Sequence, residues 1–203
     1  MNSAVIVAGG NGKRINLNKP KQFYNLRGKE ILAYSVETFL RHPQINEVVI
    51  VSHKDWLSYV SGEYPQCTCV LGGKERYNSS LNGVLATNDK SENILIHDAA
   101  RPFLSSEIID ECLKALADAD ASAPIIDSKD SLIYVKKEQI SQVNRENIKL
   151  IQTPQCFKRD LIVDVLKSSA KGTDEIGMLI EFDNSKKIQL IHGQDINMKI
   201  TTK

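Results

Sequence analysis

"VIVAGGNGKR", Val5 to Arg14, runs from an apolar segment straight into three glycines and two positive charges. A buried strand ending in a loop with almost no side chains leaves backbone N–H groups free to face an anion. Gly9, Gly10 and Gly12 supply that freedom, and Lys13 and Arg14 stand immediately behind them. Two familiar phosphate loops are excluded. A P-loop requires Gly at position 7 and Ser or Thr at 14, where Val7 and Arg14 stand; the dinucleotide fingerprint requires a third Gly at 15, which is Ile15. Taken by itself the loop reads equally well as an ordinary tight turn or as an anion site.

The surrounding sequence sets it in a sheet. Apolar runs at Ala4 to Val7, Glu47 to Val51, Thr68 to Leu71, Asn93 to His97 and Ala121 to Ile126 are near-continuous rather than alternating. That suits strands buried on both faces of a parallel sheet. Between them, "KEILAYSVETFLRH" places Ile31, Leu32, Val36, Phe39 and Leu40 on one helical stripe before Pro43, and "SSEIIDECLKALADAD" does the same with Ile108, Ile109, Cys112, Leu113 and Leu116. The alternation predicts an α/β, doubly wound parallel sheet with ligands at the carboxyl ends of its strands.

From Ser128 to Gln152 the pattern changes. "SLIYVKKEQISQV" reads as two short strands around a polar turn, and "NIKLIQ" as another extended piece. Such a hairpin has little core of its own to cover, so it is read as a β-arm over about 128–150, stable against a partner subunit; an edge hairpin folded onto its own sheet is the alternative. The 203 residues are otherwise read as one domain, 1–203.

Composition narrows the class. With 41% hydrophobic and 25% charged residues the chain is ordinary for a globular enzyme, and a net charge of +1 gives no bulk argument for nucleic acid. No apolar run approaches the roughly 18 residues of a membrane span. The N-terminus has no basic region of a secretory signal. Cys67, Cys69, Cys112 and Cys156 show no zinc-type spacing and read as reduced thiols of a cytoplasmic protein.

Three further stretches carry chemistry. In "KPKQF", Lys19 to Phe23, Lys21 can join Arg14 at the loop, two cations suited to a triphosphate. In "GGKERYNSS", Gly72 to Ser80, the glycine pair allows close approach of a flat base and Ser79 can read its edge; the other reading is a surface turn with Asn78 or Ser79 capping the next helix. In "LIHDAARPF", Leu95 to Phe103, Asp98 follows a buried strand where Mg²⁺ bridging phosphates would be held, and Arg101 adds an anion partner. His97 is either a ligand or a packed strand-end histidine.

Together with "NRENIKLIQTPQCF", "GTDE" and "NMKITT", these motifs stand in the order seen in cytidylyltransferases that act on sugar-alcohol phosphates. The chain most resembles the 2-C-methyl-D-erythritol 4-phosphate branch, with the ribitol-5-phosphate branch as its sister. The resemblance spans Ala4 to Thr202. It implies a Rossmann-like nucleotidyltransferase fold, a mostly parallel twisted sheet with a projecting β-arm that joins a homodimer, and a Mg²⁺-dependent reaction in which the polyol phosphate attacks the α-phosphorus of CTP and pyrophosphate leaves. By matching position, Ala8, Gly9, Gly10, Asn11, Gly12, Lys13 and Arg14 would form the triphosphate loop. Arg14 and Lys21 would stabilise the transition state, and Asp98 would hold the metal. Gly73, Arg76, Ser79 and Ala99 would belong to the CTP site, and Arg101 and Thr153 would line the active site. Ser128, Arg145, Thr173 and Lys199 would hold the polyol phosphate, with the arm residues serving the neighbouring subunit.

Some positions depart from that pattern. The loop reads "AGG" where many erythritol-phosphate enzymes have a second alanine, and Ser128 replaces a frequent threonine. "SHKDW" resembles the ribitol branch, whereas "HDAARP" fits the erythritol branch better. Members of the family continue into another helix where this sequence reads "KITTK". A hexose-phosphate nucleotidyltransferase would leave "QTPQCF" and "NMKITT" unexplained. A non-catalytic CTP sensor would need affinity but not the charge compensation of Arg14, Lys21 and Asp98 together.

Overall fold

All five apolar runs become strands of one sheet. The computed structural model describes residues 1–10 and 19–201. The chain starts with β1 (Asn2–Ala8), and a two-stranded turn of β2 (Asn25–Leu26) and β3 (Lys29–Glu30) leads into α1 (Ile31–Arg41). Then come β4 (Glu47–Ser52), α2 (Leu57–Glu63), β5 (Thr68–Leu71), α3 (Arg76–Leu85), β6 (Asn93–Asp98), α4 (Ser106–Ala115) and β7 (Ala121–Asp127). The arm holds β8 (Leu132–Lys136) and β9 (Gln139–Val143). The chain returns through β10 (Lys149–Ile151), β11 (Gln155–Lys158), α5 (Arg159–Lys167), α6 (Glu175–Phe182) and β12 (Ile188–His192).

In the main sheet β1 lies between β4 and β6, parallel to both, and β5 extends the parallel set beyond β4. Strand order therefore reverses at β1 and β6: β4 and β5 follow on one side, and the chain then crosses back to the other. A crevice opens outside the carboxyl ends of strands at such a reversal. The parallel set is interrupted by β11, antiparallel to both β6 and β7, while β12 runs parallel along the outer side of β7.

Period-two alternation sorts the strand side chains into two layers. Ala4, Ile6 and Ala8 pack with Leu32, Val36 and Phe39 of α1 and Ile108, Ile109 and Cys112 of α4. Val5, Val49, Ile94 and Ile96 pack with Val84 of α3, Ile162 and Val165 of α5, and Leu179 of α6. On α3, a Cβ at Gly83 would lie 2.4 Å from Val5 Cγ1. The missing side chain lets that helix sit close to β1, with its first turn beside the β1 loop. The predicted stripe of α4 is buried as expected, and Ser105 caps the helix by accepting the Ile108 N–H. Leu40 is the correction on α1: it is exposed, because the buried stripe ends at Phe39 and the next residue lies about 100° further round the helix.

The arm leaves from β7 and returns along β10, which pairs antiparallel with Ile125 to Asp127. Between them β8 and β9 pair only with each other among the described residues, and Lys137 takes a positive φ of 54° at their turn. Ile133 is 64% exposed and Ile140 69%, so the hairpin does not fold back onto the sheet. Among the described residues no helix is long and apolar enough to cross a membrane.

Candidate active site

At the strand-order reversal lies a cleft of about 420 Å³, lined by Ala8, Gly9, Gly10, Lys21, Gly73, Arg76, Ser79, Asp98, Ala99 and Lys199, together with Gln22 and Thr201. These residues come from the loop after β1, the start of α3, the end of β6 and the C-terminal segment. Asn11, Gly12, Lys13 and Arg14, assigned to the triphosphate loop by sequence, lie outside the described residues.

The visible part of the loop is held from below. Buried Gln22 donates through Nε2 to the carbonyls of Ala8 (2.7 Å) and Gly10 (3.0 Å). Across a trans peptide the N–H points opposite to its carbonyl. Fixing the Ala8 carbonyl toward Gln22 therefore turns the Gly9 N–H to the opposite side of that peptide plane. Phe23, next in sequence, is fully buried and stacks on Trp56 at 4.5 Å, so "KPKQF" anchors one end in the core and presents Lys21 at the other. Lys21 Nζ donates to the Ile200 carbonyl at 2.6 Å.

The opposite wall is the start of α3. Glu75 is the N-cap position, and the Asn78 side chain accepts its N–H at 3.1 Å, so neither Asn78 nor Ser79 caps this helix. The Ser79 hydroxyl accepts the Gly73 N–H at 3.0 Å and donates to the Glu75 carbonyl at 3.3 Å, tying the glycine loop to the helix. Gly73 is required by the protein itself: a Cβ there would stand 2.2 Å from Asn78 Cβ.

Asp98 is the electrostatic centre. It ends β6, is 8% exposed, and accepts Lys199 Nζ on Oδ2 at 2.7 Å and Arg76 Nη2 on Oδ1 at 3.2 Å. Arg101 Nε stands 3.9 Å from Oδ2. Burial would raise its pKa, but Arg76 and then Lys199 outweigh it, holding the carboxyl well below the usual carboxylate range. Lys21, Lys74, Arg76 and Lys199 line the cleft against Glu75 and Asp98, so it is net positive even with buried Glu175 behind it, as a polyanion site requires.

Behind Asp98 a polar network fixes its backbone. The Asp98 N–H donates to Thr153 Oγ1 (3.1 Å), Thr153 Oγ1 meets His97 Nδ1 (3.0 Å), and His97 Nε2 meets the Arg101 carbonyl (3.1 Å). These contacts are all satisfied if His97 is neutral with its proton on Nε2. Burial pushes its pKa down to about 4, so the imidazole is uncharged at neutral pH. His97 is thus the packed strand-end histidine, with Phe39 edge-on at 5.5 Å. Thr153 and Arg101 sit in this supporting layer. Arg101 Nη1 also donates to the Asn197 carbonyl at 2.7 Å, and buried Asn197 donates to the Thr153 carbonyl at 2.9 Å. Those bonds hold the segment that carries Lys199.

Three residues are not brought to this cleft. Half-buried Ser128 and exposed Arg145 lie at the base of the arm, where Arg145 donates to the Lys129 carbonyl at 3.4 Å. Thr173 is exposed in the loop before α6. Sequence reasoning also missed Gln22, Asn197 and Glu175. All three lie inside quoted motifs, and nothing in a single sequence marked them as buried.

A family model described as "2-C-methyl-D-erythritol 4-phosphate cytidylyltransferase" matches residues 2–203. The 2-C-methyl-D-erythritol 4-phosphate cytidylyltransferase of Clostridium botulinum (strain Loch Maree / Type A3) is 39% identical over 99% of this chain and 92% of its own. The Clostridium acetobutylicum enzyme of the same name is 36% identical over 100% and 93%. Among solved structures, 4-diphosphocytidyl-2C-methyl-D-erythritol synthase from Anaerococcus prevotii DSM 20548 superposes with a TM-score of 0.88 at 29% identity, covering 99% of this chain and 90% of that one. The bifunctional IspDF from Campylobacter jejuni gives 0.86 at 25% identity, covering 99% of this chain and 52% of that one.

Proposed function

The chain belongs to the 2-C-methyl-D-erythritol 4-phosphate cytidylyltransferase family, and from that premise we propose how its cleft performs the reaction. The enzyme transfers CMP from CTP to 2-C-methyl-D-erythritol 4-phosphate, a step of isoprenoid precursor synthesis, and releases pyrophosphate. One observation carries the assignment of the site: Lys21, Arg76, Asp98 and Lys199 converge on the glycine loop at the β1/β6 reversal.

A phosphate oxygen of the acceptor forms a bond to the α-phosphorus of CTP as the bond from that phosphorus to the β-phosphate oxygen breaks. The nucleophile is already an anion at neutral pH, so no general base is needed. The difficulty is bringing two polyanions together, and the protein's part is positioning and charge. In this reading the Gly9 N–H and the loop residues through Arg14 hold the triphosphate. Lys21, reaching over from the "KPKQF" anchor, takes up charge developing at the α-phosphate. Lys199 leaves Asp98 for the acceptor's phosphate. Gly73, Arg76, Ser79 and Ala99 shape the nucleoside side, Ser79 by fixing the loop it is bonded to.

Mg²⁺ belongs to the same proposal. Mg²⁺ is usually held by one or two carboxylates plus substrate phosphates and waters. Asp98 offers one carboxylate facing the cleft, a donor set that fits an ion shared with the triphosphate and not one caged by protein alone. When bound there it would neutralise phosphate charge.

The exposed hairpin supports a homodimer in which each arm brings Ser128 and Arg145 to its neighbour's cleft, with Thr173 completing the acceptor site. The unpaired Cys67, Cys69, Cys112 and Cys156 suit a reducing compartment, hence the cytoplasm. Pyrophosphate release in parallel assays, with CTP and either 2-C-methyl-D-erythritol 4-phosphate or ribitol 5-phosphate, tests the assignment. Turnover is expected with the first; turnover with ribitol 5-phosphate alone overturns it.

A further inference from the structure

The buried carboxylate of Glu175 lies one residue behind the cleft and takes no part in the roles assigned so far. Its side chain has 0% exposure, on the first turn of α6. Arg76 Nη1 donates to both of its oxygens, each at 2.7 Å, and Ser80 Oγ donates to Oε1 at 2.5 Å. The same guanidinium turns its other edge to Asp98, with Nε at 3.4 Å and Nη2 at 3.2 Å from Oδ1. Arg76 is therefore clamped between a solvent-free carboxylate behind and the cleft carboxylate in front.

A buried charge is retained at a cost unless it is fully paired. Glu175 is paired, but to a residue whose other edge reaches the reaction centre. Packing alone would be served as well by an apolar side chain. The planar fork of arginine can bridge two carboxylates only with both edges held. Resting on the cytidylyltransferase reading, we infer that Glu175 is a positioning residue: it fixes Arg76, and through Arg76 the orientation of Asp98 and the share of Asp98's charge left for the substrates. Without the rear anchor, Arg76 is free to rotate and to give its whole charge to Asp98.

Glu175→Gln is isosteric and its oxygen can still accept Ser80, but it removes the negative charge and sets an amide N–H donor against Arg76 Nη1 where Oε2 now accepts it. Steady-state kinetics with CTP and 2-C-methyl-D-erythritol 4-phosphate should show kcat reduced about 100-fold, the scale of a 1 Å misplacement at a reacting centre. KM for the acceptor should stay within about threefold. Arg76→Lys should cost a comparable amount, and adding it to Glu175→Gln should cost less than about threefold more, because both changes remove one linkage. Ser80→Ala, which withdraws only one of the three bonds, should lower kcat about fivefold with little change in Tm and covers the case in which Glu175→Gln does not fold. Wild-type turnover tests the cytidylyltransferase reading, and the variant-to-wild-type ratios test Glu175. Wild-type kcat in Ser80→Ala or in folded Glu175→Gln, or fully multiplicative losses in the double variant, would overturn the inference.

Discussion

Gly10→Ala separates what the protein needs from what its ligand needs. Among the described residues no atom lies within 4 Å of a Cβ built on Gly10, and its φ lies outside the left-handed region. Among the described residues an alanine is therefore accepted without strain. A Gly→Ala change at a compatible site stabilises by about 0.4–1 kcal/mol through the unfolded chain, which for a chain of this length raises Tm by roughly 1–4 °C. The added methyl enters the cleft wall where a triphosphate must approach the backbone, and a displacement of about 1 Å there costs on the order of 100-fold in kcat/KM. Gly73→Ala should behave in the opposite way. Its Cβ would lie 2.2 Å from Asn78 Cβ, so α3 must shift, at a cost of about 1–3 kcal/mol and a lower Tm. Differential scanning calorimetry beside steady-state kinetics reads both effects. If Gly10→Ala proves more stable yet catalyses within about threefold of wild type, the loop does not carry the nucleotide.

Lys21→Ala should lower kcat by roughly 100- to 1,000-fold while KM for CTP changes far less, since Lys21 acts on charge that builds up in the transition state; equal losses in both would assign it to ground-state binding. His97 carries a pH signature. Its pKa is about 4 when folded against an ordinary 6.5, so the unfolded chain binds more protons between those values, and stability is lost as pH falls from about 6.5 toward 4. That gap corresponds to about 3 kcal/mol, and urea titrations at pH 5 and 7.5 should show a slope that His97→Gln flattens. Ile133→Asp with Ile140→Asp on the exposed arm should convert a dimer to a monomer in sedimentation and reduce turnover; an unchanged sedimentation coefficient would remove the arm from assembly.

Much of this molecule is written plainly in its sequence, and the parts that are not share a physical character. Strands buried on both faces declared themselves as continuous apolar runs: Val48 to Val51 and Ile94 to Ile96 are all nearly or wholly inaccessible. β11 did not, because it is four residues long, follows Pro154 and contains only Cys156 and Phe157 as apolar residues. β12 is half exposed along the edge of β7, so its side chains carry a weak signal. Among site residues, Lys21 was legible as a cation close to a glycine loop and Asp98 as a carboxylate ending a buried strand, whereas Arg76 came from resemblance. Gln22, Asn197 and Glu175 were not. Their importance lies in which buried group each reaches, and long-range contacts such as Arg76 to Glu175 exist only once α3 and α6 are packed together. Ser128, Arg145 and Thr173 came from resemblance, and a single chain leaves them outside its own cleft.

A crystal structure of the protein with CTP and Mg²⁺ bears most directly on the whole interpretation. The nucleotide should occupy the crevice between Gly9 and Gly73, its α-phosphorus within reach of Lys21 and facing Asp98, with Lys199 released from that carboxylate. CTP bound away from the β1/β6 crevice, or seated there with its α-phosphorus turned from Lys21, would show that this cleft does not carry out the transfer.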